Sequence, residues 1–463
     1  MKLGQIHSVY FVGIGGIGMS AIARWFAVQG KTVGGYDRVA TPLTKALEQE
    51  GIGIHYEDDL KLVNDLFKST PEKTLIVYTP AIPADHSELR FFKENGFNVM
   101  KRSEVLGIIT KDLFTIGVAG THGKTTTSSM IAHILHETGY GCNAFIGGIM
   151  TNYESNLIVG RSTDVVVVEA DEFDRSFLRL FPNLTVVTSV DPDHLDIYGN
   201  KEEMIKSFNE YVNKTGQDGK VILNEKVKSH FNLKDGVSRI TYGKDEGEIT
   251  VSDLKIHDGV FEFDYQSKKL TIKGIELQVP GFHNMENCVA AITVALTLGI
   301  SQEAIKEAVK SYSGVKRRFE YILKNEKMIF IDDYAHHPGE IQAFISSVRA
   351  LYPNRQLTAI FQPHLFSRTQ DFALEFAEEL SKVDDLILLD IYPAREEPIP
   401  GVTSQIIYDE VSLDQKILIS KDKILETIQN KDIELIVTIG AGDIDREIPA
   451  LKAYLEGKEA NHV

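Results

Sequence analysis

Residues 113–130 read Leu113-Phe-Thr-Ile-Gly-Val-Ala-Gly120-Thr-His-Gly123-Lys124-Thr125-Thr126-Thr-Ser-Ser-Met130. An apolar, β-rich run leads into a glycine loop, and helix formers follow from Met130 to Leu135. Strand, glycine loop and helix start together form a phosphate cradle. Glycines let backbone N–H groups approach phosphate oxygens, the helix N-terminus adds partial positive charge, and a lysine supplies a mobile cation. Lys124 is that cation, and Thr125 or Thr126 places a hydroxyl on Mg²⁺. The spacing departs from the usual phosphate-loop pattern: Val118 stands where a glycine is expected, and Gly117 comes one residue early. The context of the loop outweighs that departure, so the stretch reads as an ATP site with Gly120, Thr121, His122, Gly123, Lys124, Thr125 and Thr126 around the phosphates.

Working towards the N-terminus, Ser8–Val12 reads as a strand, followed by Gly13-Ile-Gly15-Gly16-Ile-Gly18 and the helix formers Met19-Ser20-Ala-Ile-Ala23. Gly13, Gly15 and Gly18 fit G-x-G-x-x-G, and Asp37, at the end of the next strand, lies near the distance of a ribose-binding acid. The pattern holds a diphosphate but does not separate NAD from another diphosphate ligand. Leu75–Tyr78 reads as a buried strand whose C-terminal loop begins at Thr79, where open α/β sheets place ligands. Residues 101–104, Lys-Arg102-Ser-Glu, read as a hinge into the ATP-binding segment.

Beyond the loop, Asp164-Val-Val-Val-Val-Glu169-Ala-Asp-Glu172 is an apolar run closing on carboxylates, as expected of a parallel strand buried on both faces. Acids at its end face a nucleotide's Mg²⁺. Leu184–Val190 reads as another buried strand, ending in Asp191-Pro-Asp193-His194-Leu-Asp196. Glu169 and His194 thus follow two strands that converge beside the loop. Residues 246–280 alternate apolar with polar and read as a small antiparallel excursion. A helix then opens at 282–287, where Asn284 and Asn287 share a face and either cap the helix or bond a purine edge. From about 315 a second doubly wound α/β layer is expected, with Asp332-Asp333-Tyr-Ala-His336-His337-Pro338 and Phe361-Gln-Pro-His364 at strand ends. Adjacent histidines in a loop rarely both ligate a metal, so His336-His337 reads as a substrate loop.

Bulk properties narrow the classes. The 463 residues exceed a single core and suggest about three domains. A net charge of −17 with no Lys/Arg cluster argues against a nucleic-acid partner. Two cysteines, Cys142 and Cys288, make neither a disulfide framework nor a zinc site. The sequence holds no stretch of 18 apolar residues and its first strand is not a leader, so a cytoplasmic protein without a membrane span is expected.

In order along the chain, these motifs resemble the Mur ligases of peptidoglycan synthesis: Val12–Ser20, Gly120–Thr126, Glu169–Glu172, Asp193–Asp196, His283–Asn287, Asp332–Pro338, Phe361–His364 and Glu396–Pro400. The resemblance implies a three-domain α/β architecture: a Rossmann-like UDP-sugar domain (1–110), a central P-loop ATPase (111–314) and a Rossmann-like domain for the amino acid (315–463). It implies ATP and Mg²⁺ as cofactors and ligation of L-alanine to the carboxylate of UDP-N-acetylmuramate. By motif, Lys124 binds ATP phosphates; Thr125, Glu169 and His194 surround Mg²⁺; Asn287, Arg318 and Asp333 reach the nucleotide. His337 and Arg368 lie near the incoming amino acid. Gly13, Gly15, Gly16, Gly18, Met19, Ser20, Asp37, Thr79 and Arg102 are the candidate UDP-sugar contacts. A homodimer stays open. Two alternatives remain at this point: a recycling ligase that attaches a tripeptide to the same UDP-sugar, and, more remotely, an NAD-dependent dehydrogenase.

Overall fold

The structure is a computed structural model describing residues 3–160, 164–192, 195–257, 259–394, 396–429 and 431–460. The first sheet has five parallel strands, β1 (Ser8–Val12), β2 (Thr32–Tyr36), β3 (Gly53–His55), β4 (Thr74–Tyr78) and β5 (Asn98–Lys101), in the order β3-β2-β1-β4-β5. The chain leaves β1 on one side towards β2 and β3 and returns on the other through β4. That reversal opens a crevice at the carboxyl ends of β1 and β4, where ligands of doubly wound sheets bind. The glycine loop and Thr79 flank it.

The second sheet contains β6 (Phe114–Ala119), β7 (Asn143–Met150), β8 (Ser155–Ile158), β9 (Val165–Glu169), β10 (Leu184–Val187), β11 (Lys220–Asn224), β12 (Ser238–Tyr242), β13 (Ile249–His257), β14 (Val260–Ser267) and β15 (Thr271–Leu277). Their order is β15-β14-β13-β12-β11-β10-β6-β9-β7-β8. Val165–Val168 are buried, and β9 pairs in parallel with both β6 and β7, so the four valines do fill a strand covered on both faces. The order reverses at β6, with β9 on one side and β10 on the other, which brings Glu169 and the segment after Val187 to the phosphate loop. One expectation changes here. β10 stops at Val187, not Val190, because Thr188 and Ser189 turn away to bond the loop. The alternating segment 246–280, read as a small antiparallel excursion, supplies β13, β14 and β15 and continues the sheet as its outer strands.

The third sheet, in the order β16-β17-β21-β18-β19-β20, comprises β16 (Glu320–Lys324), β17 (Ile329–Asp333), β18 (Leu357–Phe361), β19 (Asp385–Leu389), β20 (Lys416–Ile419) and β21 (Leu435–Ile439). β17, β18 and β21 are wholly buried and parallel, and only β16 runs antiparallel, at the edge.

The chain divides into two compact units. One takes residues up to Ser252 with Asp264–Lys273 and Glu286–Tyr312; the other takes Asp253–Phe263, Gly274–Met285 and residues from Ser313 onward. The first contains a core in which Val9, Phe11, Ile22 and Phe26 join Val166, Val168, Phe177 and Tyr211. The second is built around Phe330, Ile360, Ile387, Ile436 and Leu451. Residues 101–104 are not an open linker: β5 runs straight into the helix Arg102–Thr110, and Glu104 Oε2 caps its start by accepting from the Lys101 N–H at 2.9 Å.

Candidate active site

Gly120 and Gly123 carry φ of +140° and +81°, backbone conformations that disfavour any side chain. Space forbids one as well. A Cβ on Gly120 would lie 2.0 Å from Thr188 Oγ1, and one on Gly123 would lie 2.7 Å from Asn287 Oδ1. The loop is braced from below: Ser189 Oγ accepts from the His122 N–H at 2.8 Å and bonds Thr121 Oγ1 at 2.9 Å, and Thr188 Oγ1 donates to the His122 carbonyl. The helix Lys124–Glu137 begins directly after, so the amides of its first turn, which include Thr125 and Thr126, open towards the loop. Gly117, the glycine one place early, belongs to β6; a Cβ there would lie 2.1 Å from Tyr211 Oη, so it serves packing. Gly123→Ala should therefore lose about 1–2 kcal/mol from the left-handed backbone alone. It should also weaken nucleotide binding at least tenfold, through displacement of Asn287. Thermal unfolding with an ATP titration checks both, and an unchanged variant would remove Gly123 from the cradle.

Glu169 ends β9 and points across the helix start. Its Oε2 accepts from Thr125 Oγ1 at 3.2 Å, and its Oε1 accepts from Ser128 Oγ at 3.3 Å and from the Gly147 N–H at 2.6 Å. A hydroxyl and a carboxylate side by side at a phosphate loop are the hard oxygen donors Mg²⁺ takes, so these two residues fit the ion. His194, the third expected ligand, lies outside the described residues. Lys124 Nζ donates to the Gly120 carbonyl at 2.6 Å and to Glu172 Oε1 at 2.7 Å. Burial works against its charge, but Glu172, Asp171 and Glu169 together outweigh it and hold its pKa above the ordinary lysine value.

At the first glycine loop, Gly13 (φ +91°) packs so closely that a Cβ would meet Thr79 Cγ2 at 2.7 Å, joining the two flanks of the crevice. Asp37 Oδ2 accepts from the Gly15 N–H at 2.7 Å, so its carboxylate shapes the loop. Gly16 precedes the helix Ile17–Val28, and Gly18 lies against Arg102, whose Nη2 reaches Asp171 Oδ2 at 3.0 Å. Met19 and Ser20 are buried in that helix. Ser20 Oγ accepts from Asn156 Nδ2 at 2.9 Å, which ties the start of that helix to β8.

In the second unit, Asp333 ends β17 and accepts from the Phe319 and Ala335 N–H groups, both at 2.8 Å. Burial pushes its pKa up to about 6, against the pull of Arg318. The Arg318 guanidinium lies over the Tyr334 ring at 5.0 Å. His337 starts the helix Pro338–Leu351, and Glu340 Oε2 accepts from the N–H groups of His336 and His337 at 2.9 and 3.2 Å. His336 Nδ1 bonds the Tyr334 carbonyl at 2.9 Å, and burial lowers its pKa to about 4. Neutral and held within the loop, it suits the substrate-loop reading. Arg368 lies in the short helix Phe366–Asp371, beside Ser367, whose hydroxyl and N–H both bond Glu396.

Family models match three successive segments: "Mur ligase family, catalytic domain" at 8–113, "Mur ligase middle domain" at 118–295 and "Mur ligase, glutamate ligase domain" at 317–442. The UDP-N-acetylmuramate–L-alanine ligase of Phocaeicola vulgatus is 49% identical over 99% of this chain and 100% of its own. The chain belongs to the Mur ligase family. The ligase of the same name from Cytophaga hutchinsonii is 47% identical, with 98% of each chain covered. The crystal structure of UDP-N-acetylmuramate-alanine ligase from Thermotoga maritima superposes with a TM-score of 0.82 at 27% identity, covering 97% of this chain and 99% of that one. A murein peptide ligase from Psychrobacter arcticus shares the fold at a TM-score of 0.68 and 22% identity, covering 96% and 98%. This Mur ligase carries three site residues that the sequence alone did not single out. Glu172 was visible only as one acid in a run, while Thr188 and Ser189 were hidden in an apparent strand. Their signal was a pair of hydroxyls at the end of a buried apolar run, where a β-strand has no need of them.

Proposed function

We propose that this chain joins L-alanine to the carboxylate of UDP-N-acetylmuramate at the expense of ATP, in the cytoplasm, during peptidoglycan precursor synthesis. The observation that carries the proposal is the convergence of Lys124, Thr125 and Glu169 at a braced loop, in a chain 49% identical over its length to a ligase of that name. The family membership sets aside the NAD-dependent dehydrogenase. Among the described residues no helix is long and apolar enough to cross a membrane. The segments 1–110, 111–314 and 315–463 serve as UDP-sugar, ATP and amino-acid domains in this reading.

A carboxylate is a poor electrophile, and ATP supplies the activation by phosphorylating one of its oxygens. The amine then attacks the acyl carbon, and the tetrahedral adduct expels phosphate to leave the amide. The task left to the protein is placement and charge neutralisation. Lys124 and the first-turn N–H groups bind phosphate oxygens. Thr125 and Glu169 would hold Mg²⁺, which neutralises developing phosphate charge, with His194 as the further ligand. The first glycine loop, Asp37, Thr79 and Arg102 seat the UDP-sugar; Asn287, Arg318 and Asp333 serve the nucleotide; His337 and Arg368 face the amino acid.

The amino acceptor decides between this activity and tripeptide recycling. Phosphate release with UDP-N-acetylmuramate should saturate with L-alanine and respond less to glycine, since one methyl group is worth roughly 1–3 kcal/mol of discrimination. It should respond little to L-alanyl-γ-D-glutamyl tripeptides. Arg368→Ala should chiefly raise the KM for L-alanine by removing the cation that meets its carboxylate. A preference for the tripeptide would overturn the assignment.

A further inference from the structure

Asp171 and Glu172 follow β9 in a turn with unusual backbone. Asp174 and Arg175 both have φ of +53°, a left-handed conformation that non-glycine residues adopt at a cost of about 1–3 kcal/mol. The turn is held from several sides. The Arg175 N–H bonds the Glu172 carbonyl at 2.9 Å, the Phe177 N–H bonds the Asp171 carbonyl at 2.9 Å, and Tyr198 Oη donates to the Glu172 carbonyl at 2.6 Å. At the start of this turn the Glu172 side chain, only 1% exposed, is aimed at Lys124 Nζ. Of the three carboxylates in the segment 169–172, Asp171 pairs with Arg102 and the other two face different groups. Glu169 faces Thr125 and Gly147, where a metal fits, and Glu172 faces the ammonium.

We propose that Glu172 is a positioning residue for Lys124: it holds the ammonium at the mouth of the loop before nucleotide binds, and yields part of that bond when phosphate arrives. The proposal rests on the reading of the loop as an ATP site. An ammonium on a flexible four-carbon stem has many rotamers. Fixed between the Gly120 carbonyl and Glu172, it stands ready beside the cradle without collapsing onto Glu169. The arrangement trades affinity for placement, because each nucleotide bound must draw the lysine partly away from a buried carboxylate. A ligand shifts such an equilibrium only by its differential interaction with the two states. Removing the negative charge at 172 should therefore tighten nucleotide binding while slowing the chemistry.

Glu172→Gln keeps the length and an acceptor oxygen but removes the charge. Binding of the non-hydrolysable ATP analogue AMP-PNP with Mg²⁺, measured by calorimetry, should tighten about tenfold, while kcat for phosphate release should fall at least tenfold. Glu172→Asp restores the charge one methylene short, so it should return the affinity to that of the unaltered chain and recover part of kcat. A residue that only supports the fold would move affinity and kcat down together with the melting temperature. That pattern, or an unchanged affinity in Glu172→Gln, would overturn the proposal. If AMP-PNP fails to bind even the unaltered chain, the ATP reading fails first and takes the proposal with it.

Discussion

Lys124→Ala should lower kcat/KM for phosphate release by on the order of 10³-fold, about 4 kcal/mol of transition-state stabilisation. The lysine is the cation positioned at the loop, with Nζ 2.6 Å from the Gly120 carbonyl at the start of the helix. It also balances Glu172, so its removal leaves a buried carboxylate unneutralised by the ammonium, and stability should drop by about 3 kcal/mol. The two effects separate in the double variant Lys124→Ala/Glu172→Gln. There the charge imbalance disappears, the melting temperature recovers, and activity remains lost. Near-normal phosphate release in a folded Lys124→Ala protein would show that the loop does not work on phosphate.

Glu169→Gln should collapse the rate by 10²-fold or more at ordinary Mg²⁺ concentrations, with partial recovery as Mg²⁺ is raised. The carboxylate sits 3.2 Å from the Thr125 hydroxyl and accepts the Gly147 N–H, so the protein's own donors orient the side chain. The amide substitution keeps one acceptor oxygen and most of the packing but removes the charge a divalent ion needs. The fold should survive, because Glu169 is only partly buried at the strand's end. The measurement is a Mg²⁺ titration of phosphate release in both proteins. Superimposable curves would remove Glu169 from the metal shell.

The parts of this fold that were legible in the sequence are those where local chemistry and tertiary position agree. Four consecutive valines demand burial on both faces, and β9 has it. Gly120 and Gly123 announce backbone that no side chain tolerates, and both sit at positive φ. What stayed hidden depends on distance along the chain. Nothing near Ser189 says that its hydroxyl will bond His122, 67 residues earlier, and nothing near Asp37 says that its carboxylate will be occupied by Gly15. Residues 101–104 read as a hinge from sequence because polar, charged residues lie there between apolar runs. In the structure they form a capped junction, since Glu104 satisfies the Lys101 N–H that a free loop would leave to solvent. Met19 and Ser20, beside the first glycines, have buried side chains that helix periodicity turns inward, which their place next to the motif does not show.

The bracing of the phosphate loop by Thr188 and Ser189 has a consequence for the thermodynamics of recognition. A glycine-rich segment free in solution samples a wide range of conformations, and ordering each residue costs about 1–2 kcal/mol of entropy. Here that ordering is completed during folding, by two hydroxyls from a neighbouring strand's end. A nucleotide bound there would meet a loop whose backbone is already fixed, so the enthalpy of its phosphate contacts would appear as affinity and would not be consumed in shaping the backbone.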